Sequence, residues 1–105
     1  MLVLTTPDIP VQKIDQVLGL VRGNTVQSRN MFSQFGAGIK SMIGGELHAY
    51  TRLMDQTRDH AIDRMVEHAK DMGADAIIMV RLDTGSSGPA IEMLAYGTAV
   101  TLKKS

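Results

Sequence analysis

The stretch Gly44–Val80, GGELHAYTRLMDQTRDHAIDRMVEHAKDMGADAIIMV, decides how the rest of this 105-residue chain is read. A glycine pair opens it, an amphipathic pattern follows, and a glycine separates that pattern from an apolar run. Leu47, Tyr50, Met54, Ala61, Met65, Ala69 and Met72 recur at helical spacing, and Leu53, Ile62 and Val66 widen the stripe. The positions between them carry Arg52, Asp55, Asp59, Asp63, Arg64, Glu67, Lys70 and Asp71. The spacing predicts a helix over Leu47–Met72, ended by Gly73, which reaches the left-handed conformation of a C-cap without a Cβ clash. Such a helix is about 39 Å long. A compact domain of this size is about 34 Å across, so the helix is expected to overhang its own sheet and to need a partner. Ala74–Leu82 follows as a strand. Its continuous apolar segment Ala76–Val80 predicts cover on both faces, one by the helix and the other by a further helix or subunit.

Upstream, Leu2–Thr5 reads as a strand or strand-like arm, closed by the loop around Pro7 and Pro10. Lys13–Arg22 is a strand with Ile14, Leu18 and Leu20 on one parity and Val17 and Val21 on the other, and Gly19 marks a bulge or a close backbone approach. Gly23-Asn24 is a turn signal, after which Thr25–Ser28 pairs back as a short strand. Asn30 is a cap for a first helix whose stripe is Met31, Phe32, Phe35, Ile39, Met42 and Ile43. Downstream, Asp83–Pro89 (DTGSSGP) reads as a turn-rich loop. Ile91–Leu102 is a long last strand forming a hairpin with its predecessor, and the Ala95–Gly97–Ala99 parity is small enough for a helix to lie close. Strands, two helices and a hairpin give one α+β domain over residues 1–105.

Composition removes several classes of function. Hydrophobic residues make up 44% and charged residues 21%, as in folded globular chains. The net charge is zero, and no basic cluster exists beyond Lys103–Lys104, so no nucleic-acid partner is expected. The absence of cysteine excludes thiolate catalysis and Cys-type zinc sites. No apolar run approaches the roughly 20 residues of a membrane span, and no signal peptide opens the chain. A cytoplasmic protein with no membrane partner and no cofactor is expected.

The candidate chemistry is thin. Gly44 and Gly45, before a helix, could present N–H groups to an anion, with Arg52 adding charge. Arg81 and Asp83 flank the apolar strand and could line a cleft, with Tyr50 as a third member. His60, Asp63 and Glu67 are metal candidates within the acidic row Asp55, Asp59, Asp63, Glu67. Against a metal, His60 and His68 lie about 12 Å apart along a helix, and the i+4 position between them is Arg64. The eight methionines read as core filler. Ser86 and Ser87 have no base beside them, and no catalytic residue is assigned.

Several blocks together resemble the YbjQ-like family, a small bacterial and archaeal family labelled as heavy-metal-binding. They are Thr5-Thr6-Pro7, Gly19-x-Val21-x-Gly23, Asn30-x-Phe32, Ala37-Gly38-Ile39, Gly44-Gly45, Ala49-Tyr50, Arg58-x-x-Ala61, Ala69-x-x-x-Gly73-Ala74-Asp75-Ala76 and Gly97-Thr98-Ala99-Val100. The match covers nearly the whole chain. It implies a dodecin-like β-α-β-β subunit, an antiparallel sheet packed on a long helix, with extra short strands, a second helix and a ring-shaped homopentamer. It implies no established activity. His48 stands just before Ala49-Tyr50, where a glycine is expected in close relatives. Three functions are therefore carried forward. The first is a non-enzymatic homo-oligomer, pentameric by resemblance, that binds a small molecule or a partner. The second is a heavy-metal or cation binder. The third is an enzyme with its site between subunits.

Overall fold

The computed structural model describes residues 1–28 and 48–104. The predicted first helix, together with Gly44 and Gly45, lies outside the described residues. The elements in order are β1 (Leu2–Val3), β2 (Ile14–Ser28), α1 (His48–Asp71), β3 (Ala76–Ser87) and β4 (Ala90–Leu102). One sheet forms in the order β1-β3-β4-β2. β4 is antiparallel to both its neighbours, and β1 joins β3 in parallel. β2 and β3 therefore run the same way with β4 inserted between them, and α1 lies in the connection from one to the other. Among the described residues this is a mixed α+β arrangement of one helix on a four-stranded sheet.

α1 forms where its spacing predicts, but its buried positions are fewer. Thr57, Ala61, Met65 and Ala69 are buried at i, i+4 steps, whereas Met54 is half-buried and Met72 exposed. Ala61, Met65 and Ala69 meet Val21, Ile77, Val80, Ala95 and Ala99 in the main core. Small residues on both sides bring the helix axis close to the sheet, as the small-residue parity of β4 predicts. After Asp71 the chain is closed by Gly73 at φ +82° and by the bond from the Ala74 N–H to the Ala69 carbonyl (3.0 Å).

Gly23 corrects the predicted turn. It does not reverse the chain. β2 runs through it without interruption, and Gly23 pairs with Ala95. A Cβ at Gly23 would collide with the Met65 nitrogen and the Ala61 oxygen and would lie 2.7 Å from the Arg64 carbonyl carbon. The glycine is there to let helix backbone rest on strand backbone. Arg64 and His68 complete the contact. The Arg64 guanidinium donates to the Asn24 carbonyl (2.6 Å), and His68 Nδ1 lies 3.2 Å from the Arg22 nitrogen and 3.3 Å from its oxygen. β2 is an edge strand, and these two side chains occupy part of its edge.

Three further expectations are corrected. Asp83–Ser87 is strand rather than loop, because each residue pairs with β4 and the reversal needs only Gly88-Pro89, with Gly88 at φ +57°. The parity of β2 changes at a register shift between Val17 and Gly19 (φ +127°), the bulge that Gly19 predicts. Leu18 therefore packs towards the helix while Ile14 packs on the opposite face. The far face of β3 is covered in part by its own chain, since Ile9, with Leu4 beside it, packs on Ala76, Ile78 and Val100.

The projecting element is the sheet, not the helix. α1, with 24 residues, is about 36 Å long, and β2, with 15, is about 50 Å. The principal extents are 56 × 29 × 17 Å. The radius of gyration is 17.2 Å, against about 13 Å for a compact chain of this length.

Gly23→Ala is expected to destabilise the protein by about 3 kcal/mol or more, because a methyl group forced between two backbones has no rotamer escape. Gly85→Ala, at a position with nothing within 4 Å of the added carbon, is expected within about 0.5 kcal/mol of the parent. Urea unfolding of the two variants checks the contrast.

Candidate functional site

The site residues named from the sequence fall into separate places. Arg81 lies on the edge strand side of the sheet, where its Nη1 donates to the Thr5 carbonyl (3.0 Å) and to the Val80 carbonyl (2.8 Å). Its task is to tie the N-terminal segment to β3. Asp83 accepts from the Thr84 N–H through Oδ1 (2.9 Å) and forms no ion pair with Arg81 among the described residues. Tyr50 is in the first turn of α1, and Arg52 is exposed one half-turn later. Arg81 lines a groove with Ile62, and Ile62 is ten residues, about 15 Å, along the helix from Arg52. Arg52 therefore does not converge with Arg81 and Asp83 on one subunit.

That groove, about 440 Å³, is walled by Val3, Leu4, Ile62, Val80 and Leu82 and is largely apolar. It owes its shape to a bulge in β3. Register is lost between Ile78 and Arg81, so Met79 and Val80 together face Gly97. Met79 adopts φ +55° and its N–H reaches the Thr6 carbonyl (3.1 Å), while Val80 N–H reaches Leu4 (3.0 Å). The extra residue lets both Ile77 and Val80 face the helix. Gly97 accommodates them, since a Cβ there would lie 2.8 Å from the Ile77 Cγ2 and 2.9 Å from the Ile78 carbonyl.

The metal candidates His60, Asp63 and Glu67 are all exposed on α1. Among the described residues no three metal-capable side chains converge. Glu67 lies 3.9 Å from Lys70, and Asp55 lies 3.3 Å from Arg58, so the acidic row is interleaved with cations on the solvent side.

A larger groove, about 950 Å³, lies at the end of the sheet where β4 finishes. Val11 and Lys13 line one wall, and Asp75, Leu102, Lys103 and Lys104 line the other. Asp75 fastens this end. Its N–H donates to Val100 (2.9 Å), and its Oδ2 accepts from the Leu102 N–H (2.8 Å). The sequence hides this grouping, because Lys13 and Lys103 are 90 positions apart and meet only through the pairing of β2 with β4.

These features define a two-layer α+β chain with open grooves at two edges, and no set of groups poised for a reaction among the described residues. The chain belongs to the YbjQ-like, or UPF0145, family: the family model described as "Putative heavy-metal-binding" matches residues 1–103. A UPF0145 protein of Acidothermus cellulolyticus is 48% identical over 99% of this chain and 97% of its own length. One of Lactobacillus gasseri is 48% identical over 95% and 93%, and one of Thermosipho africanus is 47% identical over 100% and 98%. The crystal structure of a protein of unknown function from Pediococcus pentosaceus, assigned to the DUF74 family, is similar in fold, with a TM-score of 0.64, 16% identity and 98% of each chain covered. Among the described residues no helix is long and apolar enough to cross a membrane.

The left-handed Met79 offers a test of the bulge. A side chain in that conformation costs about 1–2 kcal/mol, of which glycine returns part to the entropy of the unfolded chain. Met79→Gly is expected to raise stability by about 0.5–1 kcal/mol, and Met79→Val to lower it by about 1 kcal/mol or more. The midpoints of chemical denaturation measure both.

Proposed function

We propose that this chain is one subunit of a ring-shaped homo-oligomer, a pentamer of dodecin-like subunits, that binds a small molecule and catalyses no reaction. The observation that carries the assembly is the sheet face turned away from α1. Val17, Leu20 and Val26 of β2 are 67%, 64% and 56% exposed there, beside the half-buried Leu94 and the exposed Tyr96 of β4. These side chains lie on the face opposite Val21, Gly23 and Thr25, where their cross-strand partners are Val100, Thr98, Glu92, Asn24 and Arg22. Large apolar side chains gathered on one face favour a partner. The thin, elongated shape of the subunit supports the same reading, since among the described residues only Ile9, Leu4, Ile14 and Leu102 gather on the Ala76, Ile78 and Val100 side of a body 17 Å deep. Both outer strands also offer edges. β1 covers β3 only at Ala76 and Ile77, with Leu4 and Thr6 extending the contact to Val80. A contact between two different surfaces of the same chain, repeated around an axis, closes into a ring. The engagement of Arg81 with two carbonyls and of Asp83 with its neighbour supports a binding role over a catalytic one.

Size-exclusion chromatography with light scattering tests the assembly. The expected mass is about five times the 11.4 kDa chain, and a monomer at micromolar concentration would overturn the reading. Leu20→Glu and Val26→Glu are expected to release smaller species that keep their helix by circular dichroism. Burying a leucine-sized side chain between subunits is worth about 2 kcal/mol, and a carboxylate at either position forfeits it.

The family description favours a second reading, metal binding, for which His60, Asp63 and Glu67 on one side of α1 are the candidates. Equilibrium dialysis against Zn²⁺ and Ni²⁺, followed by elemental analysis, separates the two. The first reading expects substoichiometric metal that does not change in a His60→Ala, Asp63→Ala double variant. One equivalent per chain, absent from that variant, would establish the second.

A further inference from the structure

We infer that the groove at the end of β4 is a binding site for a small oxyanion carrying two or more negative charges, held by Lys13, Lys103 and Lys104. This deepens the small-molecule reading above by naming a class of ligand. The backbone carries the first part of the argument. The Lys103 N–H donates to the Lys13 carbonyl at 2.8 Å, which continues the Ile14–Leu102 pairing by one step. The two lysines are therefore cross-strand partners, with Cβ atoms about 5 Å apart. Like charges placed so are destabilising, and Lys104 adds a third positive charge to the same wall.

The compensating groups are accounted for. Among the described residues none of the three lysines forms an ion pair. Asp75, the carboxylate that lines this groove with them, is committed through Oδ2 to the Leu102 N–H. Asp15 lines an adjoining groove of about 590 Å³ together with Asp75, Lys103 and Lys104. The larger groove is lined by three lysines and one carboxylate, Asp75, although the whole chain is neutral. A volume of about 950 Å³ is ample for a ligand of metabolite size. Val11 and Leu102 give it apolar walls, so the ligand has room for a body as well as a charged head. Lysine ammonium groups act as mobile point charges rather than as a fixed fork. The recognition is therefore of charge and size, shared by a pyrophosphate-bearing compound and a polycarboxylate.

Isothermal titration with inorganic pyrophosphate, and in a second arm with citrate, tests the site on the full chain at low salt and at 0.5 M NaCl. The expected result is saturable binding of one anion per chain, weakened at high salt. Lys13→Gln and Lys103→Gln are each expected to weaken it at least tenfold. Lys70→Gln, which removes a lysine already beside Glu67, is expected to leave it unchanged. Without anion, Lys103→Gln is expected to raise the thermal midpoint, because it removes the cross-strand repulsion, and to abolish the further rise that pyrophosphate gives the parent. The relative affinity of the two anions distinguishes a phosphate ligand from a carboxylate one. Absence of saturable binding to both anions, or equal weakening by Lys70→Gln, would overturn the proposal. The site lies within one subunit, so a monomer in light scattering would end the ring while leaving this titration to be decided by itself.

Discussion

The meeting of two backbones at Gly23 is the constraint on which the rest of the structure depends. A strand residue and a helical turn touch there with no side chain between them. Once that distance is set, the neighbouring positions must be small. Ala61 and Ala69 supply this on the helix, and Ala95, Gly97 and Ala99 on the sheet, with Met65 as the one long chain that fills what remains. Arg64 and His68 then reach the strand's outer edge from the same turns of helix. One absent methyl group thus sets the layer spacing, the composition of the core and part of the cover of an exposed edge.

Close packing on one side accentuates the difference between the two faces. Next to α1 the sheet is sealed by short side chains in a tight layer. On the reverse it carries long apolar side chains, and among the described residues the cover led by Ile9 lies at one end, over Ala76, Ile78 and Val100. The smaller groove forms beside the β3 bulge, against Ile62 of α1, and the larger one where β4 ends beside the start of β2.

The helix was legible because its information is local: Ala61, Met65 and Ala69 recur at the right interval whatever they pack against. The family was legible too, through blocks spread along the chain that the family model matches over residues 1–103. Gly23 was not, because a glycine beside an asparagine marks a turn in most contexts, and only a helix forty residues downstream makes it a point of backbone approach. Asp83–Ser87 misleads for a similar reason. Its residues suit turns, yet pairing with Ala90–Leu94 outweighs that preference. Gly19 was legible as a bulge, but not the change of facing that it causes in Leu18. As for sites, the tie that Arg81 makes to the Thr5 carbonyl was not legible, and the lysine pair was invisible because no spacing rule links positions 13 and 103.

The extra residue in β3 has a consequence for how chain length can vary in this fold. Ile77 and Val80 share one layer, Ile78 serves the other, and Met79 fills the gap between these two rhythms. Removing Met79 would leave Ile77, Ile78 and Val80 in strict alternation opposite Ala99, Thr98 and Gly97, so each later side chain would keep its compartment and the loss would be the Met79 N–H bond to the Thr6 carbonyl. The strand can thus be one residue longer or shorter at this point without changing which layer its neighbours serve.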